Sequence, residues 1–302
     1  MRGAPPLECA AMDHEESHLK GIVLVLLGVV LLSPDALLLR LISADHWTLL
    51  FWRGTLSALS LVTITLLLER PQGWRRFFSI GRSGALVAVI FATGSVCFVF
   101  AILHTTVANA LIIMSVSPLF AAILSHFFFG EAIPLRTWLA ALAIIAGLVL
   151  VFAGSLSGDG LAGDLAALGV SVGLAINFVI IRKQKAVSMV PAMAWSGVIL
   201  ALAVLPLAAP ASLSGQSMHL MLLLGLVVVP VSLTLITLGP RYIPAPEAGL
   251  IMRLEALLAP LWVWLVLGEV PTMQTLLGGT IIISTLVLLS AATLKGRAQA
   301  AT

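Results

Sequence analysis

Charged residues are scarce in this sequence. Asp, Glu, Lys and Arg account for 10% of its 302 residues and hydrophobic residues for 60%, whereas a soluble domain carries about 25% charged residues. The formal net charge is only +3, and the lack of a basic stripe interleaved with aromatics excludes a nucleic-acid partner. The two cysteines, Cys9 and Cys97, have neither a disulfide nor a metal spacing, so no metal and no cofactor are predicted.

Signals for nucleotide chemistry and for secretion are also missing. The chain contains no Walker A sequence and no cluster of Cys and His, so we do not expect an enzyme. Residues 13–17 are acidic where a signal peptide would be basic, and no small-residue cleavage site follows the first apolar run. Residues 1–19 are therefore predicted to be a mobile tail.

Long apolar runs make up most of the chain. A membrane-spanning helix needs roughly 20 mostly apolar residues, and ten such runs stand between short loops that carry Gly, Pro and charge. The sequence therefore predicts an all-α integral membrane protein with ten transmembrane helices. The predicted spans cover residues 21–42, 47–68, 84–103, 106–129, 134–153, 164–181, 189–208, 218–239, 245–267 and 272–294.

The basic residues favour one orientation in the membrane. With the N-terminus in the cytoplasm, most of the 16 Lys and Arg residues fall in cytoplasmic loops. Asp45, Asp159 and Asp164 fall on the other side. Because this asymmetry satisfies the positive-inside rule, both termini are predicted to be cytoplasmic.

A segment of the first half of the chain returns in the second half. Residues 105–153 align without gaps on residues 243–291, and Gly130-Glu131 falls on Gly268-Glu269 at an offset of 138. Roughly 30% of the aligned positions are identical, where apolar bias alone predicts roughly 10%. Duplicated membrane halves of this kind build many secondary transporters.

The number of spans in each half determines how the halves are related. Each half holds five spans, an odd number, so the second half enters the membrane from the opposite side. We therefore predict two inverted five-helix repeats, residues 20–153 and 164–294, with cytoplasmic tails at residues 1–19 and 295–302. This geometry places a site near the membrane midplane, between the repeats.

Ionisable residues inside membrane spans are expensive and mark candidate functional sites. Asp35 in span 1 and Arg53 in span 2 lie at similar depth, which suits an internal ion pair or an outer gate. Arg253 and Glu255 lie in the middle of span 9, two residues and so about 200° apart around a helix. We expect them to face different ways, at least one of them toward a cavity or a partner on another helix.

The repeat connects these charges to span 4. The offset of 138 places Arg253 on Ser115 and Glu255 on Ser117, so spans 4 and 9 are predicted to form the central walls of a cavity. Two interpretations of Glu255 stay open: a substrate-binding or proton-linked residue, and a structural partner of a neighbouring polar group. The predicted cavity residues are completed by Asn177 in span 6 and Ser232 in span 8.

Span 6 carries two features with structural alternatives. Asn177 could bind a ligand or form a hydrogen bond between helices. The glycine spacing of Gly169–Gly173 predicts a close helix contact, either inside the chain or at a dimer face. The protein is accordingly expected to be a monomer or a weak homodimer.

Several motifs together resemble one known family. They are Phe51-Trp52-Arg53-Gly54, Thr105–Ala110, Pro118 before Gly130-Glu131, Asn177–Arg182, and Leu254-Glu255-Ala256 before Gly268-Glu269. Their order and spacing over residues 20–294 resemble the drug/metabolite transporter superfamily, in its ten-helix form with two EamA-type repeats. One departure is visible, because Ala256 stands where the first repeat has Pro118, with Pro260 displaced by one turn. Strict symmetry of the two gates is therefore not expected.

This resemblance implies a bacterial inner-membrane exporter of metabolites. The texture of the chain is most similar to exporters of aromatic and other neutral amino acids, so we expect an amino-acid substrate moved by alternating access. Glu255 would receive the ammonium group and Arg253 the carboxylate. Export of other small metabolites or drugs, and a passive channel, are the alternatives. The expected partners are the small-molecule substrate and the lipid bilayer, and proton coupling through Asp35 or Glu255 stays open.

Overall fold

The computed structural model is helical, with no strand among its described residues. These residues are 7–68, 77–78, 80–130, 134–155, 160–183, 189–243 and 245–301. We number the membrane helices α1 to α10 after the ten predicted spans and mark the parts of a broken helix a and b. They are α1a (Leu7–Leu32), α1b (Asp35–Leu41), α2 (His46–Leu68), α3 (Gly81–His104), α4a (Val107–Met114), α4b (Ser117–Phe129), α5 (Leu135–Ser155), α6 (Leu161–Lys183), α7 (Met189–Val204), α8a (Gly215–Leu222), α8b (Val229–Leu238), α9a (Ala245–Met252), α9b (Glu255–Leu267) and α10 (Met273–Ala301), with a π-helical turn at Leu223–Val228 between α8a and α8b.

The predicted fold class, an all-α membrane protein of two inverted five-helix repeats, is confirmed. Nine of the described helices are long and apolar enough to cross a membrane. The tenth, α7, has 16 described residues, about 24 Å at 1.5 Å per residue. Helix α1a begins at Leu7, well before the predicted span, because residues 7–20 contain neither Gly nor Pro and include good helix formers.

Helices α4 and α9 are each interrupted at repeat-related positions. Helix α4a ends at Met114 and α9a ends at Met252, 138 residues later. Helices α4b and α9b both end at a left-handed glycine, Gly130 with φ 65° and Gly268 with φ 69°, a conformation that suits a residue without a Cβ atom. The offset read from the sequence therefore describes the backbone as well.

The two interruptions have different local causes. The first precedes Pro118 at the start of α4b, which has no amide hydrogen to continue the helix. The second forms although Ala256 replaces that proline, so the expected asymmetry does not extend to the backbone. At this second break the amides of Arg253 and Leu254 bond to carbonyls three residues back, at 3.2 and 3.0 Å, the tighter winding of a 3₁₀ turn.

The helices pack in a pattern with pseudo-two-fold symmetry. Helix α3 packs along α6 and α1 along α8, α4 packs against α6 and α9 against α1, while α2 crosses α7 and α5 crosses α10. Mapping α1–α5 onto α6–α10, and the reverse, converts the α3–α6 pair into the α1–α8 pair and the α4–α6 pair into the α1–α9 pair. The α2–α7 and α5–α10 pairs map onto themselves. The crossings α2–α7 and α5–α10 therefore lie on the pseudo-axis, and the other helices surround it.

Glycines allow backbones to touch at both of these crossings. A Cβ atom on Gly54 of α2 would lie 2.7 Å from the carbonyl oxygen of Gly197 in α7, and one on Gly278 of α10 would lie 2.5 Å from that of Gly147 in α5. Small residues permit such close contacts between membrane helices. Cβ atoms on Gly169 and Gly173 would meet side chains of α3 at the ordinary van der Waals distances of 3.7 and 3.5 Å, so this stretch does not form the predicted close helix contact with α3.

Helices α1 and α9 are joined at three heights. We call the end of the bundle where α1 starts the N-terminal face and the other end the opposite face. The three contacts are His18–Glu247 (2.8 Å) at the N-terminal face, Trp262 Nε1 to Ser33 Oγ (2.9 Å), and the ion pair Arg40–Glu269 at the opposite face. Each pair is separated by 229 residues, so the two helices keep one register along their length and form a single body.

Candidate functional site

A central cavity of about 440 Å³ lies between the repeats, within the usual size of small-molecule sites. Helices α1, α2, α3, α4, α6, α7, α8 and α9 contribute to its wall. Most of the residues predicted from the sequence lie on this wall: Asp35, Arg53, Ser115, Ser117, Asn177, Arg253 and Glu255.

Asp35 and Arg53 form a two-pronged ion pair at the cavity wall. The Arg53 nitrogens donate to the Asp35 oxygens at 2.5 and 2.8 Å, and the side chains are only 6% and 13% exposed. The guanidinium also lies over the Phe98 ring, 5.2 Å from its centroid, a favourable cation–π contact. The geometry thus shows these two charges as an internal ion pair. Because the pair lies on the cavity wall, it would be next to a ligand in the cavity.

Arg253 connects the two interrupted helices. Its NH1 group donates to the carbonyl oxygen of Ser115 at 3.1 Å. Ser115 is the residue that occupies the position of Arg253 in the first repeat. The neighbouring free carbonyl, that of Met114, accepts a hydrogen bond from Ser171 Oγ at 3.4 Å. Both carbonyls exposed by the α4 break therefore have partners, as buried backbone in a membrane requires. The buried Nε of Arg253 has no hydrogen-bond partner among the described residues.

Arg253 and Glu255 both line the cavity, although we expected them to face different ways. The 200° separation holds for a continuous helix, and the turn at Arg253–Leu254 interrupts that helix between them. Neither side chain has an ion-pair partner within 4.0 Å among the described residues. The cavity thus presents one cation and one anion that are not neutralised by each other.

Asn177 and Ser57 bring unused hydrogen-bonding groups to the wall. Asn177 is 2% exposed, and neither its Nδ2 nor its Oδ1 has a partner in the described part of the chain; the same is true of Ser57 Oγ. Buried polar groups are normally satisfied, so these atoms suit water or a polar ligand. Ser57 was missed from the sequence, although it stands four residues after Arg53 and so shares its helix face.

Ser232 is the predicted cavity residue that does not line the cavity. Its neighbours Val229 and Leu233 do, and Ser232 lies about 100° around α8b from Leu233. Its residue surface is fully buried, and its carbonyl would lie 3.0 Å from a Cβ atom on Gly28 of α1. The prediction for Ser232 is corrected accordingly: it lies in the α1–α8 contact.

An ion pair at the opposite face joins the α1–α9 body to α3 and α4. Arg40 pairs with Glu269 and donates to the carbonyls of Ile102 (2.9 Å) and Thr105 (2.5 Å). The other oxygen of Glu269 accepts from the Val107 amide at 2.8 Å, a free donor at the start of α4a. Glu269 thus cross-links the end of α9 to α1 and to the start of α4a.

Two stretches match consensus spacings of catalytic motifs. His14-Glu15-Glu16-Ser17-His18 has the spacing of zinc metalloproteases, and Gly169–Gly173 has that of serine hydrolases. The described residues contain no group of three or more His, Cys, Asp or Glu placed to hold a metal ion. Ser171 lies inside helix α6, whereas the hydrolase serine needs a sharp strand-to-helix turn. The position of Ser171 is therefore not that of a hydrolase nucleophile, and the side chains of His14 and Glu15 lie outside the described part of the structure.

Comparisons with known proteins agree with this architecture. An uncharacterized transporter, YdfC of Bacillus subtilis (strain 168), is 27% identical over 181 residues, which cover 57% of this chain and 58% of that protein. A crystal structure with 16% sequence identity has the same fold at a TM-score of 0.65 and covers 90% of this chain and 98% of its own. The model of the EamA-like transporter family matches twice, over residues 19–153 and 161–291. The chain therefore belongs to the EamA-like transporter family.

Proposed function

We propose that this protein is a secondary transporter that exports small zwitterionic metabolites, foremost neutral and aromatic amino acids, across the bacterial inner membrane. The observation that carries this proposal is the presence of Arg253 and Glu255, which form no ion pair with any described residue, on the wall of the same central cavity. Membership of a transporter family supports the transport of a small molecule. The substrate class rests on the charges.

The two charges suit the two poles of an amino acid. The substrate carboxylate would accept hydrogen bonds from Arg253, whose Nε has no partner among the residues that the structure describes, and the ammonium would donate to Glu255. Charge-assisted bonds of this kind are about twice as strong as neutral ones. The Asp35–Arg53 pair adds no net charge, so a neutral zwitterion leaves the whole cavity balanced. Phe91, Phe98 and Met114 offer an apolar surface for the substrate side chain.

The way the helices are joined supports a mechanism of alternating access. Helices α1 and α9 form one body, and their repeat counterparts α6 and α4 pack together in the same way. Rocking of these bodies around the α2–α7 and α5–α10 crossings would open the cavity to one face at a time. At the opposite face, Arg40 and Glu269 hold the bodies together.

The sequence supports an orientation with both termini in the cytoplasm, because most of the basic loop residues then lie inside. The opposite face is then the outer face. Energy coupling belongs to the same proposal: a carboxylate such as Glu255 that gains and loses a proton during the cycle would link export to the proton gradient.

Counterflow in proteoliposomes tests the proposal. Vesicles loaded with unlabelled amino acid should accumulate the labelled compound through the unaltered protein, which a passive channel would not do. Glu255→Gln and Arg253→Gln should each lower apparent substrate affinity about 10- to 100-fold, the cost of one charge-assisted hydrogen bond. Ser232→Ala, outside the cavity, is the matched control and should transport normally.

The same variants separate the alternatives. A cationic drug needs the anion but not the cation, so Arg253→Gln would leave its transport intact while Glu255→Gln abolished it. A proton-coupled cycle predicts that a pH gradient drives uptake by the unaltered protein and not by Glu255→Gln. Undiminished amino-acid counterflow in both Glu255→Gln and Arg253→Gln would refute the assigned site.

A further inference from the structure

A second polar cluster lies at the opposite face, away from the central cavity. Thr105 Oγ1 donates to Asp164 Oδ1 at 2.5 Å, and Asn109 Nδ2 donates to Ser155 Oγ at 2.8 Å and approaches Asp164 Oδ1 at 3.5 Å. Thr275 Oγ1 donates to Asn109 Oδ1 at 2.5 Å. This outer cluster, defined by Thr105, Asn109, Ser155, Asp164 and Thr275, joins α4a, α5, α6 and α10.

Two glycines bring these groups together. A Cβ atom on Gly163 would lie 2.7 Å from the backbone nitrogen of Thr105, so only a glycine lets the start of α6 pack on the α3–α4 turn. A Cβ atom on Gly160 would likewise lie 3.3 Å from Thr105 Oγ1 and 3.5 Å from Ser155 Oγ. The close approach places Asp164, the residue after Gly163, against the polar ends of three other helices.

Asp164 is the unusual member of the outer cluster. Its surface is 0% exposed, and its Oδ2 has no hydrogen-bond partner in the described part of the chain. No ion pair of Asp164 occurs within 4.0 Å among these residues. A buried carboxylate without a counter-charge is costly, so the site lacks a positive charge that something else must supply.

The neighbouring charges do not supply it. Arg40 reaches the cluster through the Thr105 carbonyl, but its charge is matched by Glu269. His104 lies beside them, with Nδ1 bonded to the Phe100 carbonyl oxygen at 2.9 Å, and is exposed. Arg40, Glu269 and Asp164 together carry one net negative charge beside the cluster, and the other acid described at this face, Asp45, is exposed and lies outside it.

We propose that the outer cluster binds one monovalent cation, sodium, between Asp164 Oδ2 and the hydroxyl oxygens of Thr105 and Ser155. Hard cations prefer oxygen ligands at roughly 2.3–2.6 Å. Because the cation lies between its ligands, two oxygens that bind the same cation can be farther apart than a hydrogen bond allows. A single excess charge favours a monovalent ion over a divalent one. The described residues also contain no group of three or more acidic, His or Cys side chains of the kind that would hold a divalent metal ion.

Access and position give the site a role in transport. A cavity of about 410 Å³ is lined by Thr105, Asn109 and Ser155 together with Arg40 and Glu269, so an ion can reach the cluster beside the pair that joins the two bodies. Bound sodium would tie α4a, α5, α6 and α10 at the face where those bodies meet. This would link ion occupancy to the opening of that face, as in transporters whose broken helices coordinate sodium.

Direct binding of radioactive sodium to the full chain in nanodiscs tests the site without any transport substrate. The unaltered protein should bind ²²Na⁺ saturably in choline buffer, and Asp164→Asn should reduce binding to background. Asp45→Asn is the matched control, because Asp45 is an exposed acid at the same face and outside the cluster. Ser155→Ala, which removes one oxygen, should weaken binding about 10-fold, on the scale of losing a supporting metal contact.

The outcomes separate ion chemistry from folding. If Asp164→Asn fails to fold, the Ser155→Ala shift in the sodium midpoint decides the question. Competition by lithium but not by calcium supports the proposal. Binding that survives in both variants, no saturable binding in the unaltered protein, or a protonation change at constant sodium as the sole effect of Asp164→Asn would overturn it.

Discussion

Substituting Asp35 by asparagine isolates Arg53 in a largely buried position. Breaking a buried ion pair by removing one partner costs about 3–5 kcal/mol. Asp35 and Arg53 are 6% and 13% exposed and joined by two hydrogen bonds, which places this pair among the buried ones. Because Arg53 keeps its contact with Phe98 and faces the cavity, where water can reach it, we expect the lower end, about 3 kcal/mol.

A double-mutant cycle tests the reasoning. Asp35→Asn and Arg53→Gln should each destabilise the protein, and the double substitution should cost less than the sum, with a coupling energy of about 2–3 kcal/mol. The assay is reversible unfolding of the purified protein followed by tryptophan fluorescence. Lys183→Gln, an exposed charge at the end of α6, is the control and should change stability by less than about 0.5 kcal/mol. Additive effects of the two substitutions would show that the pair contributes nothing as a pair.

Two further predictions concern the helix contacts. Gly54→Ala should destabilise the protein by about 1–3 kcal/mol in the same assay, because the new Cβ would lie 2.7 Å from the Gly197 carbonyl. Gly94→Ala, whose Cβ would have no described atom within 4 Å, should be neutral or stabilising. Arg40→Gln removes the cross-link to the α3–α4 turn, so a cysteine placed at the cavity residue Ser57 should react faster with an impermeant maleimide added from the opposite face. An unchanged rate would refute the role of Arg40 in holding that face closed.

The fold was largely predictable because membrane constraints act on every residue. Apolar length sets the number of helices, and the offset of 138 carries over to the backbone breaks after Met114 and Met252. Depth alone also paired Asp35 with Arg53, since two opposite charges at one level of adjacent helices have few other partners. These are one-dimensional properties that a sequence displays directly.

The rest of the site depended on features that a periodic pattern does not contain. Helical spacing separated Arg253 from Glu255, but a turn between them brings both to the cavity. Ser232 was placed by depth, although rotation around α8b sends it to the contact with α1. Asp164 looked like a loop acid, and its burial follows from Gly163 and the neighbouring backbone of the α3–α4 turn. Rotation and backbone irregularity, rather than residue type, decided these cases.

The two central breaks explain how a symmetric scaffold can hold an asymmetric ligand. Arg253 bonds to the carbonyl of Ser115, its own repeat counterpart, and a residue that touches its counterpart must lie close to the pseudo-axis. The backbone at this point is therefore nearly the same on both sides, yet the second repeat carries Arg253 and Glu255 where the first carries Ser115 and Ser117. Both charges of the central pair come from one helix, so a substrate with two distinct poles has one favoured orientation rather than two related by symmetry. In the proposed mechanism, the symmetry would serve the opening of the two faces, and the departure from it would serve substrate recognition.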